Sequence, residues 1–217
     1  MELTLQPAEF PDFMENPAGF ELNHAAEADF PTEYGPFRIH GFEGRTGDHV
    51  EEAVVLEMGD IHNGRPPLLR IHSQCLTGDV FHSLRCDCRA QLEIALNAVA
   101  AEGRGLIIYE HQEGRGIGLM NKLRAYQLQD QGADTVEANE QLGFESDLRS
   151  YSLPGAILRH LGVSAVRLMS NNPDKVRALE EAGVEVVERV PCIAVEHESR
   201  RGYLETKREK MGHLFDT

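Results

Sequence analysis

Residues 165–191 read AVRLMSNNPDKVRALEEAGVEVVERVP, and this stretch decides the fold class. An apolar strand runs into Asn172, a residue type whose side chain caps helices, and Pro173 follows at the first helical position, where its missing N–H costs nothing. The helix closes at Gly183 and a second apolar strand follows. Strand, helix and strand in this order make a βαβ unit. Ser170, Asn171 and Lys175 mark a helix N-terminus competent to receive phosphate, although most such turns only cap a helix.

Working outward, the same alternation recurs. Short apolar runs predict strands at 54–58, 67–72, 105–110, 166–170 and 184–189. Between them, RAQLEIALNAVAAE (89–102) carries Leu92, Ala95, Leu96 and Val99 at helical spacing and stops at Gly103, and a second helix is expected over 119–131, ending at Gly132. The expectation is an α/β chain: a three-layer α/β/α sandwich with a mixed sheet, one catalytic domain over residues 31–217.

The chain has 217 residues and 41% hydrophobic content, enough for a core without disulfide staples. No apolar run approaches the ~20 residues of a membrane helix, and the N-terminus lacks the pattern of a secretory signal. A cytoplasmic protein with no membrane partner is expected. The formal charge of −15 argues against broad binding to nucleic acid or anionic lipid. The acidity is uneven, with eight Asp/Glu and no Lys or Arg before Arg38. Residues 1–30 are therefore expected to form an acidic, loosely ordered or surface-draped extension, and its deletion to about Asp29 is expected to leave turnover intact.

Three of the four cysteines crowd into CLTGDVFHSLRCDC (75–88). In a reducing compartment, clustered thiols more often bind metal or do chemistry than form disulfides. Zinc takes thiolates readily; three protein ligands leave an open position for catalysis, whereas four make a closed structural site. Cys192 lies far downstream and is expected in the core, while His72 or His82 could complete a structural site instead. The other feature is GLIIYEHQEGRGIG (105–118), a strand entering a glycine-rich turn that opens a helix, with Arg115 offering a planar fork for phosphate. It has neither a Walker nor a dinucleotide spacing. His111-Gln-Glu113 has the form of a zinc deaminase motif, but the required P-C-x-x-C is absent at Pro191-Cys192.

Together, RIHSQCLTGDVFHSLRCDCRAQLE (70–93), YEHQEGRGIGLMNKLRAYQLQDQGADTVEANEQLGF (109–144), RLMSNNPDKV (167–176) and TKREKMGHL (206–214) resemble GTP cyclohydrolase II, the family that opens riboflavin biosynthesis. The resemblance covers roughly residues 32–214. It implies a zinc- and Mg²⁺-dependent enzyme that opens the imidazole ring of GTP, releases C8 as formate and removes pyrophosphate. The product is 2,5-diamino-6-ribosylamino-4(3H)-pyrimidinone 5′-phosphate.

By that resemblance Cys75, Cys86 and Cys88 are the zinc ligands, with zinc activating the water that attacks C8, and Mg²⁺ rides on the substrate triphosphate. Arg149 is implied as nucleophile at the α-phosphorus and Asp147 as its proton acceptor. An arginine is essentially always protonated, so a rival role is charge stabilisation with Asp147 fixing the fork. Substrate contacts are implied at Arg70, Ile71, His72, Ser73, Gln74, Gln91, Glu113, Gly114, Arg115, Thr135, Ser170 and Lys175, with Glu113 chemically suited to guanine N1–H and N2–H₂. Ser170 stands where Thr is expected and keeps the hydroxyl; Gln74 stands where Glu is common. Tyr126 matches a tyrosine whose replacement goes with a reaction that stops at a formamidopyrimidine, so full formate release is implied. A homodimer is the family expectation. Many bacterial relatives carry a fused dihydroxybutanone-phosphate synthase domain; the residues outside the resemblance are too few for one, so the stand-alone form is expected. The rivals from other classes are a silent zinc-containing nucleotide-binding module, which would be expected to have lost a key group, and a nucleic-acid-binding zinc module, disfavoured by the charge.

Overall fold

The computed structural model describes residues 14–15, 20–145, 147–194, 206, 208–210 and 212. The rest of the acidic N-terminus and residues 207, 211, 213 and 214 of the TKREKMGHL segment lie outside the described residues.

Among the described residues, eight strands form one sheet in the order β1-β2-β3-β4-β6-β5-β7-β8. The first half is an antiparallel run: β1 (Met14–Glu15), β2 (Phe20–Thr32), β3 (Gly35–Thr46) and β4 (His49–Met58), with β4 pairing antiparallel to β6 (Gly105–Glu110). The second half is parallel: β5 (Leu68–Ser73) lies between β6 and β7 (Ala165–Met169), and β8 (Glu185–Val190) closes the edge. The sheet is mixed, as expected. The parallel half consists of the apolar runs that the sequence reveals, and α6 (Pro173–Glu181) follows β7 with the Asn172 side chain accepting from Asp174 N.

Alternation along the strands sends side chains to two cores. Leu69, Ile71, Leu106 and Ile108 pack on one face with Leu153, Ile157 and Leu158 of α5 (Ser152–His160) and Leu179 of α6. Leu68 and Ile107 face the other way, against Ala95 and Val99 of α2 (Cys88–Glu102). Helices thus cover both faces, giving the three layers. Helix α2 ends at Gly103, whose φ of 69° is the left-handed conformation that suits a C-terminal glycine.

The N-terminal boundary differs from the sequence expectation. Residues 20–32 form a thirteen-residue strand paired along β3, so a boundary at residue 30 falls inside a strand. Phe20 is buried in the larger core and Leu22 packs against it. The strand escapes periodicity because most of it is exposed: from Ala25 to Pro31 no side chain is buried, so apolar alternation is not required of it.

Candidate active site

The cleft lies at the carboxyl ends of β5, β6 and β7, where open α/β sheets place ligands. Beyond Ser73, the chain forms a single helical turn, α1 (Leu76–Asp79), then loops back to α2. This inserted segment brings the Sγ atoms of Cys75, Cys86 and Cys88 within 4.8 Å of one another. Cys75 Sγ and Cys86 Sγ are 3.6 Å apart. Gly78 makes the approach possible: a Cβ there would stand 2.9 Å from Cys86 Sγ and 3.1 Å from Cys75 Sγ.

The donor set fits a thiophilic dication. Hydrogen bonds from Cys86 and Cys88, aided by Lys122, hold the Cys75 thiol far below its ordinary range. The same contacts push Cys86 up to about 11 and Cys88 well above the usual thiol value. Metal ligation requires cysteine sulfurs as thiolates, so an ion bound by this set would release the protons the thiols hold. Cys192 is not part of this set: it is buried, its backbone bonded to Asn171. His72 Nε2 faces both Asp79 carboxylate oxygens at 3.2 Å, and His82 Nε2 contacts Arg89, so neither histidine joins the thiols. Among the described residues the cluster has three potential ligands.

The glycine-rich turn carries the neighbouring wall. Gly114 and Arg115 both have left-handed backbone (φ 65° and 63°), a conformation uncommon for a residue with a side chain. The turn projects Arg115 onto Thr135 Oγ1 at 3.1 Å, at the start of α4 (Thr135–Gln141). At Gly116 a Cβ would meet the Leu148 backbone at 3.1 Å, and Leu148 N bonds Arg115 O, so the turn seats the segment that bears Arg149.

Glu113 lines the thiol part of the cleft and is engaged within the protein. Its carboxylate accepts from Leu76 N (2.7 Å), Gly114 N (3.0 Å) and Lys122 Nζ (2.7 Å), which occupies three of about four acceptor positions. It ties the turn, α1 and Lys122 together. Lys122, on α3 (Gly118–Asp130), in turn reaches Cys75 Sγ at 3.1 Å. Tyr126 lies one helical turn further on, its hydroxyl 3.2 Å from Thr77 Oγ1, with the Arg85 guanidinium 4.8 Å over its ring.

At the far end the side chains are cationic. Arg70 is buried and donates to Met169 O (3.0 Å) and Gln91 Oε1 (2.6 Å). Lys175 is buried with Nζ on Ile71 O at 2.8 Å, and burial, then Arg70 and Arg149, push its amine far below the ordinary lysine value. An amine so placed gains most from an incoming anion. Arg149 is gripped by Asp147 through Nε to Oδ1 (2.8 Å) and Nη2 to Oδ2, while Nη1 faces Ser73 Oγ at 3.5 Å. Burial pushes the Asp147 carboxyl up, but the bonds and charge of Arg149 outweigh it and hold the carboxyl below its usual range. This is a half-buried bidentate pair and not the exposed one that Asp-x-Arg usually makes.

The thiol end and the cationic end are one cleft, joined where Ser73, Cys88, Arg115 and Arg149 line both parts. Gln74, Gly114, Tyr126 and Thr135 line the thiol part, and His72, Gln91, Ser170 and Lys175 the cationic part. Ile71 points the opposite way, into the core, and only its carbonyl is available, to Lys175. Sequence reasoning missed Lys122, Arg85, Gln112 and Gly78. The spacing of Lys122 and Tyr126, four apart on a helix, was a signal for the first; the others depend on contacts across the chain.

A sequence profile described as GTP cyclohydrolase II matches residues 23–191. GTP cyclohydrolase-2 of Hahella chejuensis is 54% identical over 196 residues, covering 90% of this chain and 94% of its own. That of Actinobacillus succinogenes is 54% identical, covering 90% and 89%, and that of Azotobacter vinelandii 55%, covering 88% and 90%. A solved two-domain 3,4-dihydroxy-2-butanone 4-phosphate synthase from A. baumannii overlays with a TM-score of 0.45 at 20% identity, over 79% of this chain and 40% of that one, and carries no weight beside them. The thiol cluster, the glycine-rich turn and the cationic pocket are thus the cleft of a chain that belongs to the GTP cyclohydrolase II family.

Proposed function

We propose that the chain hydrolyses GTP at two places in this one cleft, opening the imidazole ring with loss of formate and releasing pyrophosphate, as the first step of riboflavin biosynthesis. The observation that carries the reading is the continuity of a three-thiol cluster with a pocket of Arg70, Lys175 and Arg149. A purine nucleoside triphosphate has the matching polarity: a base with an electrophilic carbon at one end and phosphates at the other.

Cys75, Cys86 and Cys88 would hold zinc. Bound there, zinc supplies Lewis acidity and activates water for attack on carbon. Lys122, hydrogen-bonded to both Cys75 and Glu113, places a positive charge beside the Cys75 sulfur, which favours its thiolate form, and fixes its direction. Tyr126 lines the thiol part of the cleft with its hydroxyl beside Thr77, and its presence supports full formate release over arrest at a formamidopyrimidine. Gln74 and Gly114 line the wall available to the base edge, and Thr135, through Arg115, orients the guanidinium toward phosphate.

At the other end Lys175, Arg70, His72, Gln91 and Ser170 line the triphosphate pocket, with Mg²⁺ carried by the substrate's own phosphates. Arg149 acts at the α-phosphorus. The fork of Asp147 on Nε and Nη2 supports both a stabiliser held in place and a nucleophile whose proton has an acceptor. Trapping a guanylyl adduct on Arg149 by rapid quench and peptide mass analysis decides between them. The family expectations of a homodimer and of a cytoplasmic setting go with this reading, and the net charge of −15 supports a small-molecule substrate over nucleic acid.

The test is to incubate the protein with GTP and Mg²⁺, before and after metal stripping and zinc restoration, and to quantify all products. Formate, pyrophosphate and the diaminopyrimidine should accumulate together in the zinc-loaded enzyme. A zinc-retaining protein that binds GTP and yields none of them would overturn the reading in favour of a silent nucleotide-binding module.

A further inference from the structure

A second cluster of ligand-type side chains lies on the antiparallel half of the sheet and shares no residue with the cleft. It consists of His24 and Glu27 on β2 and His40 on β3, whose ligand atoms all lie within 4.8 Å of one another. In a regular strand His24 and Glu27, three apart, would point to opposite faces. They share a face because the β2–β3 register shifts between His24 and Ala26, and the extra residue of this bulge reverses the alternation. Glu27 then stands directly across from His40, while His24 pairs with Phe42, which is two residues from His40 and so on the same face.

The distances match a coordination shell. His24 Nε2 is 3.3 Å from His40 Nδ1, and His40 Nδ1 is 3.4 Å from Glu27 Oε2. For metal bonds of about 2.0–2.1 Å at tetrahedral angles, two donor atoms lie about 3.3–3.4 Å apart. Behind the cluster, the other ring nitrogen of His40 is buried without a hydrogen bond and lies 3.4 Å from Glu57 Oε2. A carboxylate behind a histidine is the arrangement that directs the remaining nitrogen's lone pair at a metal. The His24 ring is held in place by stacking on Phe42 (centroids 4.6 Å apart) and by the edge of His160 (5.5 Å). Arg38 occupies the other Glu27 oxygen, Oε1, and also approaches Asp29. Glu27, Asp29 and Glu57 outnumber this one guanidinium, so the surroundings favour a cation.

We infer that His24, Glu27 and His40, with Glu57 behind His40, form a site for a divalent transition metal of the zinc, cobalt or nickel class, distinct from the cysteine cluster, that staples β2 to β3. Two imidazoles and a carboxylate suit this class of ion over Mg²⁺ or Ca²⁺, which prefer all-oxygen shells.

The test uses the full chain with its cysteine cluster filled with Zn²⁺, equilibrated with Co²⁺ and analysed for metal per chain and for its absorption spectrum. The wild type should take up one Co²⁺ per chain beyond the zinc, with ligand-field bands and no thiolate-to-cobalt charge transfer. His24→Ala and Glu27→Gln should each weaken that uptake at least tenfold while formate production stays unchanged. Glu27→Gln preserves side-chain size and so reads the ligand role even if His24→Ala disturbs the strand. Co²⁺ should also raise the Tm of the wild type and not of the variants. No uptake beyond the cysteine cluster would show a proton-sharing histidine pair instead and overturn the inference, as would uptake of undiminished affinity in both variants.

Discussion

Gly78→Ala separates two effects that point in opposite directions. Gly78 lies in α1, where alanine is favoured over glycine by about 1 kcal/mol in a helix interior, so propensity alone predicts a small stabilisation. The structure predicts damage to the metal centre. The new Cβ would stand 2.9 Å from Cys86 Sγ, closer than real side chains pack, and 3.1 Å from Cys75 Sγ and 3.3 Å from Cys88 Cβ, both tighter than usual, so it presses on all three members of the cluster at once. Overpacking of this kind costs about 1–3 kcal/mol. The thiols of the metal-free chain can turn aside, whereas thiolates fixed on an ion cannot, so the cost falls on the bound state. At 1.4 kcal/mol per decade, zinc affinity should drop by about 5- to 150-fold. Competition against a chromogenic chelator measures the affinity, and thermal melts of the stripped protein report whether the fold survives. Wild-type zinc affinity in Gly78→Ala would refute the packing account of the cluster; a stripped protein that fails to fold would show that Gly78 serves the fold instead.

Other perturbations follow from the same geometry. Deleting residues 1–29 removes Phe20 from the core and the strand that covers β3; loss of a buried phenylalanine alone costs about 3–5 kcal/mol, so the truncation should melt at markedly lower temperature than deletion of residues 1–13. Asp147→Asn should lower kcat by about 10²-fold with zinc content unchanged, as expected when a positioned charge is lost. Because the folded Asp147 carboxyl sits below its ordinary range, the wild-type pair's contribution is complete above the ordinary carboxylate value and is lost as pH falls through the lowered one; a melt series in acid should show this loss in the wild type and not in Asp147→Asn. Glu110, buried at the end of β6, has its carboxyl pushed up to about 7, chiefly by burial. The folded state then holds a proton that the unfolded state gives up, so stability should decline as pH rises from about 4.5 to 7, by roughly 3 kcal/mol, and Glu110→Gln should flatten that slope in pH-dependent denaturation.

What the sequence made legible is the part that local chemistry specifies. Asn172, Pro173 and Gly183 announce the βαβ unit because capping and chain reversal are decided within a few residues, and the buried parallel strands are near-continuous apolar runs. The three cysteines were legible because few other roles suit such spacing. The β2–β3 hairpin was not, since an exposed antiparallel strand has no need to alternate and its acidity suggested a solvated arm. Tertiary relations were equally hidden. The contacts of Glu113 with Leu76 N, Gly114 N and Lys122 span residues that the sequence does not bring together, and the Ile71 side chain, inside the RIHSQ segment, faces the core. A binding motif on a strand contributes alternate residues, and the sequence does not say which.

In the proposed function one cleft carries two separable chemistries, the ring at the thiols and the phosphates at Arg149. The most direct measurement follows formate and pyrophosphate together, in single reactions, for the wild type, Cys86→Ser and Arg149→Lys. Equal yields are predicted for the wild type, with formate lost and pyrophosphate still released in Cys86→Ser, and pyrophosphate release impaired in Arg149→Lys with zinc content intact. Loss of pyrophosphate release in Cys86→Ser, in a protein that still binds GTP, would contradict the division of labour and place both bond cleavages under the control of the thiol cluster.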